Sequence, residues 1–338
     1  MAETVLVTGG TGFVAGWQIV ELLKRGYAVR TTVRSLDKAD GVRAAVGAEI
    51  DPGETLAFVA ADLSRDDGWA AAMTRVDYVL HVASPMGVAS ADPDDMIRPA
   101  RDGALRVLRA ATNAGVKRVV LTSSTAACAS RLQGPDSLSD ETQWTDLTDP
   151  DLNAYRKSKV IAERAAWDFI ASYKGPTTLT TVLPSAIFGP ILSKSTLGSV
   201  MVVGRILSGK MPGNPRVGFS VVDVRDLAAV QVLAMTSPEV AGERLIATNE
   251  FMWMADIARE LRAGLGARAA KVPTRVLPNA AVRLAATVDA SLRNITLTLG
   301  RRHAFSSAKA KRMLGWRPRP GARTVVDCAE SLLAHRVI

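Results

Sequence analysis

Tyr155 and Lys159 stand four residues apart at the start of a stretch with helical periodicity, Val160, Ala162, Glu163, Ala166 and Trp167. On a helix that spacing puts a phenol and an ammonium on one face, one turn apart. A phenol titrates near about 10, too high for acid–base work at neutral pH, but a neighbouring ammonium favours the phenolate and lowers that value. Taken alone, the same spacing also describes an exposed tyrosine beside a lysine. Ser123 and Ser124 follow the apolar run Val119-Val120-Leu121-Thr122, at a strand end where open α/β sheets place their ligands. A hydroxyl there can donate to a carbonyl oxygen, or simply cap a helix or turn. Together these groups could hand a proton to a carbonyl oxygen.

A second constellation, Thr8-Gly9-Gly10-Thr11-Gly12-Phe13-Val14-Ala15, lies between an apolar β-branched run (residues 4–8) and a helical stretch that ends at Gly26. Glycines let the backbone approach a pyrophosphate, and a helix N-terminus supplies N–H donors and a positive dipole end. Gly9, Gly12 and Ala15 fit one dinucleotide-binding spacing, and Gly10, Gly12 and Ala15 fit the other. At the end of the next strand, where an NAD site would place an acid for the ribose hydroxyl, stands Arg34, with Lys38 one turn further on. A guanidinium and an ammonium there favour the 2′-phosphate of NADPH. Asp37, between them, weakens that preference, and a solvated surface arginine is the alternative.

These groups need a scaffold that brings strand ends together. Strand-like runs recur at 28–34, 56–59, 78–82, 119–122 and 179–183, each followed or preceded by a helix-length stretch. Such alternation predicts parallel pairing with right-handed crossovers, hence an α/β doubly wound parallel sheet. After Pro184 the regularity weakens, so residues 1–184 are expected to form the dinucleotide-binding domain. Residues 185–338 would then be mainly a smaller C-terminal substrate lobe, interleaved with elements returning to the sheet near 219–235, such as Phe219 to Val224.

The 338 residues fit roughly two domains. With 48% hydrophobic and 22% charged residues the composition is ordinary globular usage, which rules out a disordered or fibrous chain. Two cysteines, Cys128 and Cys328, are too few for a disulfide scaffold or a Cys-rich zinc site and fit a reducing, cytoplasmic setting; Cys128 reads as a buried small hydrophobe. His81, His303 and His335 are not spaced as metal ligands, so no metal is expected. The net charge of +9 is spread without aromatic interleaving, which argues against nucleic acid. Neither a signal peptide nor a membrane span is expected.

In this order and spacing the elements resemble the extended short-chain dehydrogenase/reductase family. Within it they are similar to the branch of dihydroflavonol reductases, cinnamoyl-CoA reductases and yeast-type methylglyoxal or carbonyl reductases. The glycine turn, Val33-Arg34, Asp62-Leu63, His81-Val82-Ala83-Ser84-Pro85 and Thr122-Ser123-Ser124 carry the resemblance. Tyr155 with Lys159, Leu183 to Pro190 and Lys309 to Trp316 complete it. It implies a Rossmann fold and NADPH-dependent reduction of an aldehyde or ketone, by a monomer or homodimer.

In that resemblance Tyr155 is the proton donor, Lys159 holds the nicotinamide ribose, and Ser124 rather than Ser123 aligns the carbonyl. Gly9, Thr11, Gly12, Phe13 and Val14 would cradle the pyrophosphate, and Asp62 and Leu63 would meet the adenine. Val82, Ala83 and Ser84 would run beside the ribose and nicotinamide, and the Pro184 and Ile187 backbone would anchor the carboxamide. Ser84, Met86, Phe188 and Met201 are the candidate substrate contacts. The stretch Pro99 to Arg106 has no asparagine where the family often keeps a proton relay. Rival readings are a sugar-nucleotide epimerase or dehydratase, a 3β-hydroxysteroid dehydrogenase-like enzyme, and a dinucleotide-sensing regulator. Arg34 with Lys38 and the His-Val-Ala-Ser-Pro segment argue against the epimerase, and the intact Tyr/Lys pair against the regulator.

Overall fold

The computed structural model describes residues 2–85, 92–195, 197–289 and 292–338. The first part of the chain runs β1 (Thr4–Val7), α1 (Phe13–Lys24), β2 (Ala28–Val33), α2 (Ala39–Gly47), β3 (Leu56–Ala60), α3 (Trp69–Met73), β4 (Tyr78–His81), α4 (Asp94–Asn113), β5 (Arg118–Thr122), β6 (Ser137–Ser139), α5 (Ala154–Ser172) and β7 (Thr178–Pro184). The remainder runs β8 (Ala186–Phe188), α6 (Met201–Leu207), β9 (Gly218–Asp223), α7 (Val224–Thr236), β10 (Arg244–Ala247), β11 (Glu250–Trp253), α8 (Met254–Leu265), α9 (Asn279–Val288), α10 (Arg293–Thr296), β12 (His303–Phe305), α11 (Ala308–Leu314) and α12 (Gly321–Ala334).

Seven strands form one sheet in the order β10-β7-β5-β4-β1-β2-β3, and every neighbouring pair is parallel. Side-chain alternation gives this sheet two buried faces. Val5 and Val7 of β1 pack with α1, α2 and α7. Leu6, between them, points the other way, into a cluster with α3, α4 and α5. From β1 the chain steps to β2 on one side, and β4 lies on the other. This is the switch point at which the strand ends open a crevice for a ligand.

Residues 219–224 do not return to this sheet as expected. They form β9, in a three-stranded sheet between β11 and β8, antiparallel to the first and parallel to the second. The place beside β7 is taken by β10, so β9 pairs with β8 instead. What returns is α7, packed on α1 and β5, together with β10. Asp223 makes the change of direction: its carboxylate caps α7 by accepting from Arg225 N at 2.9 Å. The smaller lobe has its own core, with α6, α8 and α12 around the three-stranded sheet. A short parallel pair, β6 with β12, ties the loop after β5 to this lobe. No helix among the described residues is long and apolar enough to cross a membrane.

Candidate active site

The glycine turn is shaped by close approach. Gly9 has φ +74°, and a Cβ there would lie 2.9 Å from the Ala83 Cβ; one on Gly10 would lie 2.5 Å from Thr31 Oγ1. The turn is held by Gly12 N donating to Gly9 O at 2.9 Å and by Gly10 N donating to Thr32 O at 2.8 Å. Gly12 caps α1 with no side-chain acceptor, so the first turn of Phe13 and Val14 is a site where an anion can accept from backbone N–H groups.

One hydroxyl joins this turn to the end of β4. Thr8 Oγ1 accepts from Val82 N and Ala83 N, both at 3.0 Å, and lies 2.8 Å from His81 Nδ1. Those two N–H groups take both lone pairs of the hydroxyl and leave its proton for Nδ1, the pattern of a neutral imidazole protonated on Nε2. Burial, helped by the Lys159 ammonium, pushes the His81 pKa down to about 3.

That arrangement has a sign in pH. The unfolded chain takes up a proton near about 6.5 that folded His81 refuses until about 3, so stability falls with falling pH across this window. The slope from one such group is about 1.4 kcal/mol per pH unit. His81→Gln is expected to flatten the fall in urea-unfolding free energy below about pH 6 by about one proton. Equal slopes in the two proteins would contradict a neutral buried imidazole.

At the end of β2, Arg34 and Lys38 are both exposed, with Lys38 Nζ 3.7 Å from Asp37. The Ser35 hydroxyl, and to a lesser degree Lys38, holds the Asp37 carboxyl below its usual range. Asp62 follows β3; its carboxylate accepts from Ser64 N at 2.8 Å and Ser64 Oγ at 2.7 Å. These bonds, with Arg34 nearby, keep it ionised. Leu63 rests on α4, where a Cβ on Gly103 would lie 3.0 Å from its own Cβ.

Tyr155 sits in the first turn of α5, which Asn153 caps by accepting from Arg156 N at 3.0 Å. Lys159 is 9% exposed. Its ammonium donates to Ser84 Oγ at 3.1 Å and lies 5.8 Å from the centre of the Tyr155 ring. The cation is therefore pinned between the phenol and the segment that Thr8 anchors.

The two serines are told apart by their partners. Ser123 Oγ donates to Glu163 Oε2 at 2.6 Å, so its proton is committed. Glu163 also accepts from Thr181 Oγ1 and Arg244 Nε, both at 2.8 Å, and the Arg244 guanidinium lies 3.8 Å over Trp144. Ser124 Oγ accepts from Ala126 N at 3.1 Å, a bond that leaves its proton available. The 125–127 turn that follows packs against α5 and β7. Cys128 is fully buried and burial raises its thiol to about 12, which removes it as a nucleophile.

The substrate candidates fare differently. Phe188 has no exposure and meets Phe219 edge-on at 6.4 Å, so it is core and not a contact; β8 turns its side chain into the smaller lobe. Met201 is half-buried at the start of α6. Ser84 is engaged by Lys159. Met86 lies outside the described residues. Pro184 ends β7, buried, and the Ile187 carbonyl accepts from Ser199 Oγ at 2.5 Å. Three residues to which the sequence assigned no role of their own matter here: Thr8 as the hub, Glu163 as the lock on Ser123, and Asn153 as the cap that starts α5. Asn153 was the findable one, a capping residue type just ahead of a helical stretch.

The model described as the NAD dependent epimerase/dehydratase family matches residues 5–246. Cinnamoyl-CoA reductase 1 of Arabidopsis thaliana is 36% identical over 251 residues, 73% of this chain and 71% of that one. Ketoreductase azaE of Aspergillus niger is 34% identical over 298 residues, covering 82% and 87%. Among solved structures, yeast methylglyoxal/isovaleraldehyde reductase Gre2 complexed with NADPH superposes with a TM-score of 0.82 at 26% identity, covering 99% of each chain. With the parallel sheet and glycine turn in place, this chain belongs to the NAD dependent epimerase/dehydratase family, the extended short-chain dehydrogenases/reductases, and its relatives are reductases.

Proposed function

We propose that the protein reduces an aldehyde or ketone to the alcohol with NADPH, Tyr155 giving the proton. The observation that carries this reading is the Lys159 ammonium held between the Tyr155 ring and Ser84 Oγ, at the end of β4 beside the glycine turn. The turn fits a dinucleotide: α1 begins without a side-chain cap, and Gly9 and Gly10 bring the backbone hard against Ala83 and Thr31. Arg34 and Lys38 are exposed where a 2′-phosphate would lie, and the yeast reductase of the same fold is a complex with NADPH. Asp62 and Leu63 would flank the adenine, Val82 to Ser84 the ribose and nicotinamide, and Pro184 and Ile187 the carboxamide.

NADPH, when bound, supplies the hydride that goes to the carbonyl carbon. The protein supplies the rest. Tyr155 donates its hydroxyl proton to the carbonyl oxygen as negative charge develops there, and solvent returns the proton after turnover. The Lys159 charge stabilises the phenolate left behind. Ser124 donates a second hydrogen bond to the same oxygen, so the developing alkoxide meets donors already in place. The two free, buried cysteines suit a reducing compartment, and we place the protein in the cytoplasm.

The test is a panel of aldehydes, ketones and nucleotide sugars incubated with the purified protein and NADPH, followed by loss of reduced-nicotinamide absorbance. Consumption with aldehydes or ketones supports the reading. Conversion of a nucleotide sugar with no net loss of NADPH would replace it with an epimerase.

A further inference from the structure

Arg156 follows Tyr155 on α5 and is half-buried, yet among the described residues its side chain makes neither a hydrogen bond nor an ion pair. Its position is set by the helix: Val160, one turn on, is fully buried against Ala127 and Cys128 of the loop that carries Ser124. The charged and titratable groups within its electrostatic reach are Tyr155, Asp149 and His303. Asp149 is itself buried and is held by Asp151 N at 3.0 Å and Leu132 N at 3.4 Å. His303, on β12, lies 3.3 Å from Ser130 Oγ. The neighbouring Arg301 offers a contrast, with its donors taken up by the carbonyls of Arg131 and Pro135 and by the Ser130 and Ser137 hydroxyls. Arg156 thus keeps its whole donor fork, partly withdrawn from water, beside the proposed proton donor.

A guanidinium in that condition matches a carboxylate, which two parallel N–H bonds can hold. We infer that Arg156 is a specificity-determining contact for an anionic group, so that the preferred substrate is an aldehyde or ketone carrying a carboxylate. This rests on Tyr155 being the proton donor to the carbonyl. Successive helical residues diverge by about 100°, so the carboxylate belongs at the far end of the substrate and not next to the reacting carbon.

The experiment compares 4-carboxybenzaldehyde with methyl 4-formylbenzoate, which differ in that charge, using NADPH and the wild-type protein, Arg156→Met and Arg156→Lys. Wild type is expected to favour the acid by about tenfold or more in kcat/KM. Arg156→Met should collapse that preference by about 10- to 100-fold, chiefly through KM for the acid, and Arg156→Lys should retain part of it. A wild-type enzyme that favours the ester, or a preference unchanged in Arg156→Met, would overturn the inference while leaving a working reductase. Consumption of neither aldehyde, while other carbonyls are reduced, would overturn it as well. Failure with every carbonyl of the panel would instead bring down the reductase reading itself.

Discussion

Tyr155→Phe is expected to lower kcat for carbonyl reduction by about 100- to 10,000-fold while NADPH binds almost as before. The substitution keeps the ring that the Lys159 ammonium faces at 5.8 Å and leaves the Asn153 cap of α5 in place, so the helix has no reason to move. What it removes is a single O–H. If that group protonates the carbonyl oxygen, the loss appears in kcat and kcat/KM together, as for an interaction made only in the transition state. Cofactor titration by fluorescence and steady-state rates on one aldehyde check it. A variant of equal activity would take the proton-donor role away from Tyr155.

Arg34→Ala is expected to raise KM for NADPH by about 10- to 100-fold and to leave KM for NADH nearly unchanged. Arg34 is exposed at the end of β2, and among the described residues no carboxylate forms an ion pair with it, although Asp62 lies within its electrostatic reach. Its fork is therefore available for a 2′-phosphate. Lys38 is a poorer second anchor, because Asp37 sits 3.7 Å from its ammonium. Lys38→Ala should accordingly cost less than Arg34→Ala. An unchanged NADPH-to-NADH ratio in Arg34→Ala would remove the assignment of cofactor preference to this residue.

The parallel sheet and glycine turn were legible in the sequence because their signals are local: apolar runs of strand length, glycines at fixed offsets, and a helical period after each. The choice of Ser124 over Ser123 came from resemblance and remains a proposal; what no local pattern showed is that Ser123 donates to Glu163. What local patterns do not carry is the identity of a distant partner. β9 reads as a strand from its own residues, but whether it joins the main sheet depends on β10 claiming the place beside β7. The pairing of Ser137–Ser139 with His303–Phe305 joins segments far apart in the chain, and no period announces it. Phe188 looked like a pocket residue beside Pro184 and is core, because the alternation of β8 turns it inward. Arg156, as one of many basic residues, carried no mark until the fold withdrew it from water.

The most direct test is the fate of deuterium placed at both C4 positions of NADPH, so that either face would deliver it. Incubation of the wild-type protein with the labelled cofactor and an aldehyde that it consumes is expected to yield an alcohol carrying one deuterium on the carbinol carbon, in step with cofactor oxidised. Alcohol formed without deuterium on the carbinol carbon, or deuterium released to water with no deuterated alcohol, would contradict hydride transfer to a carbonyl at this site.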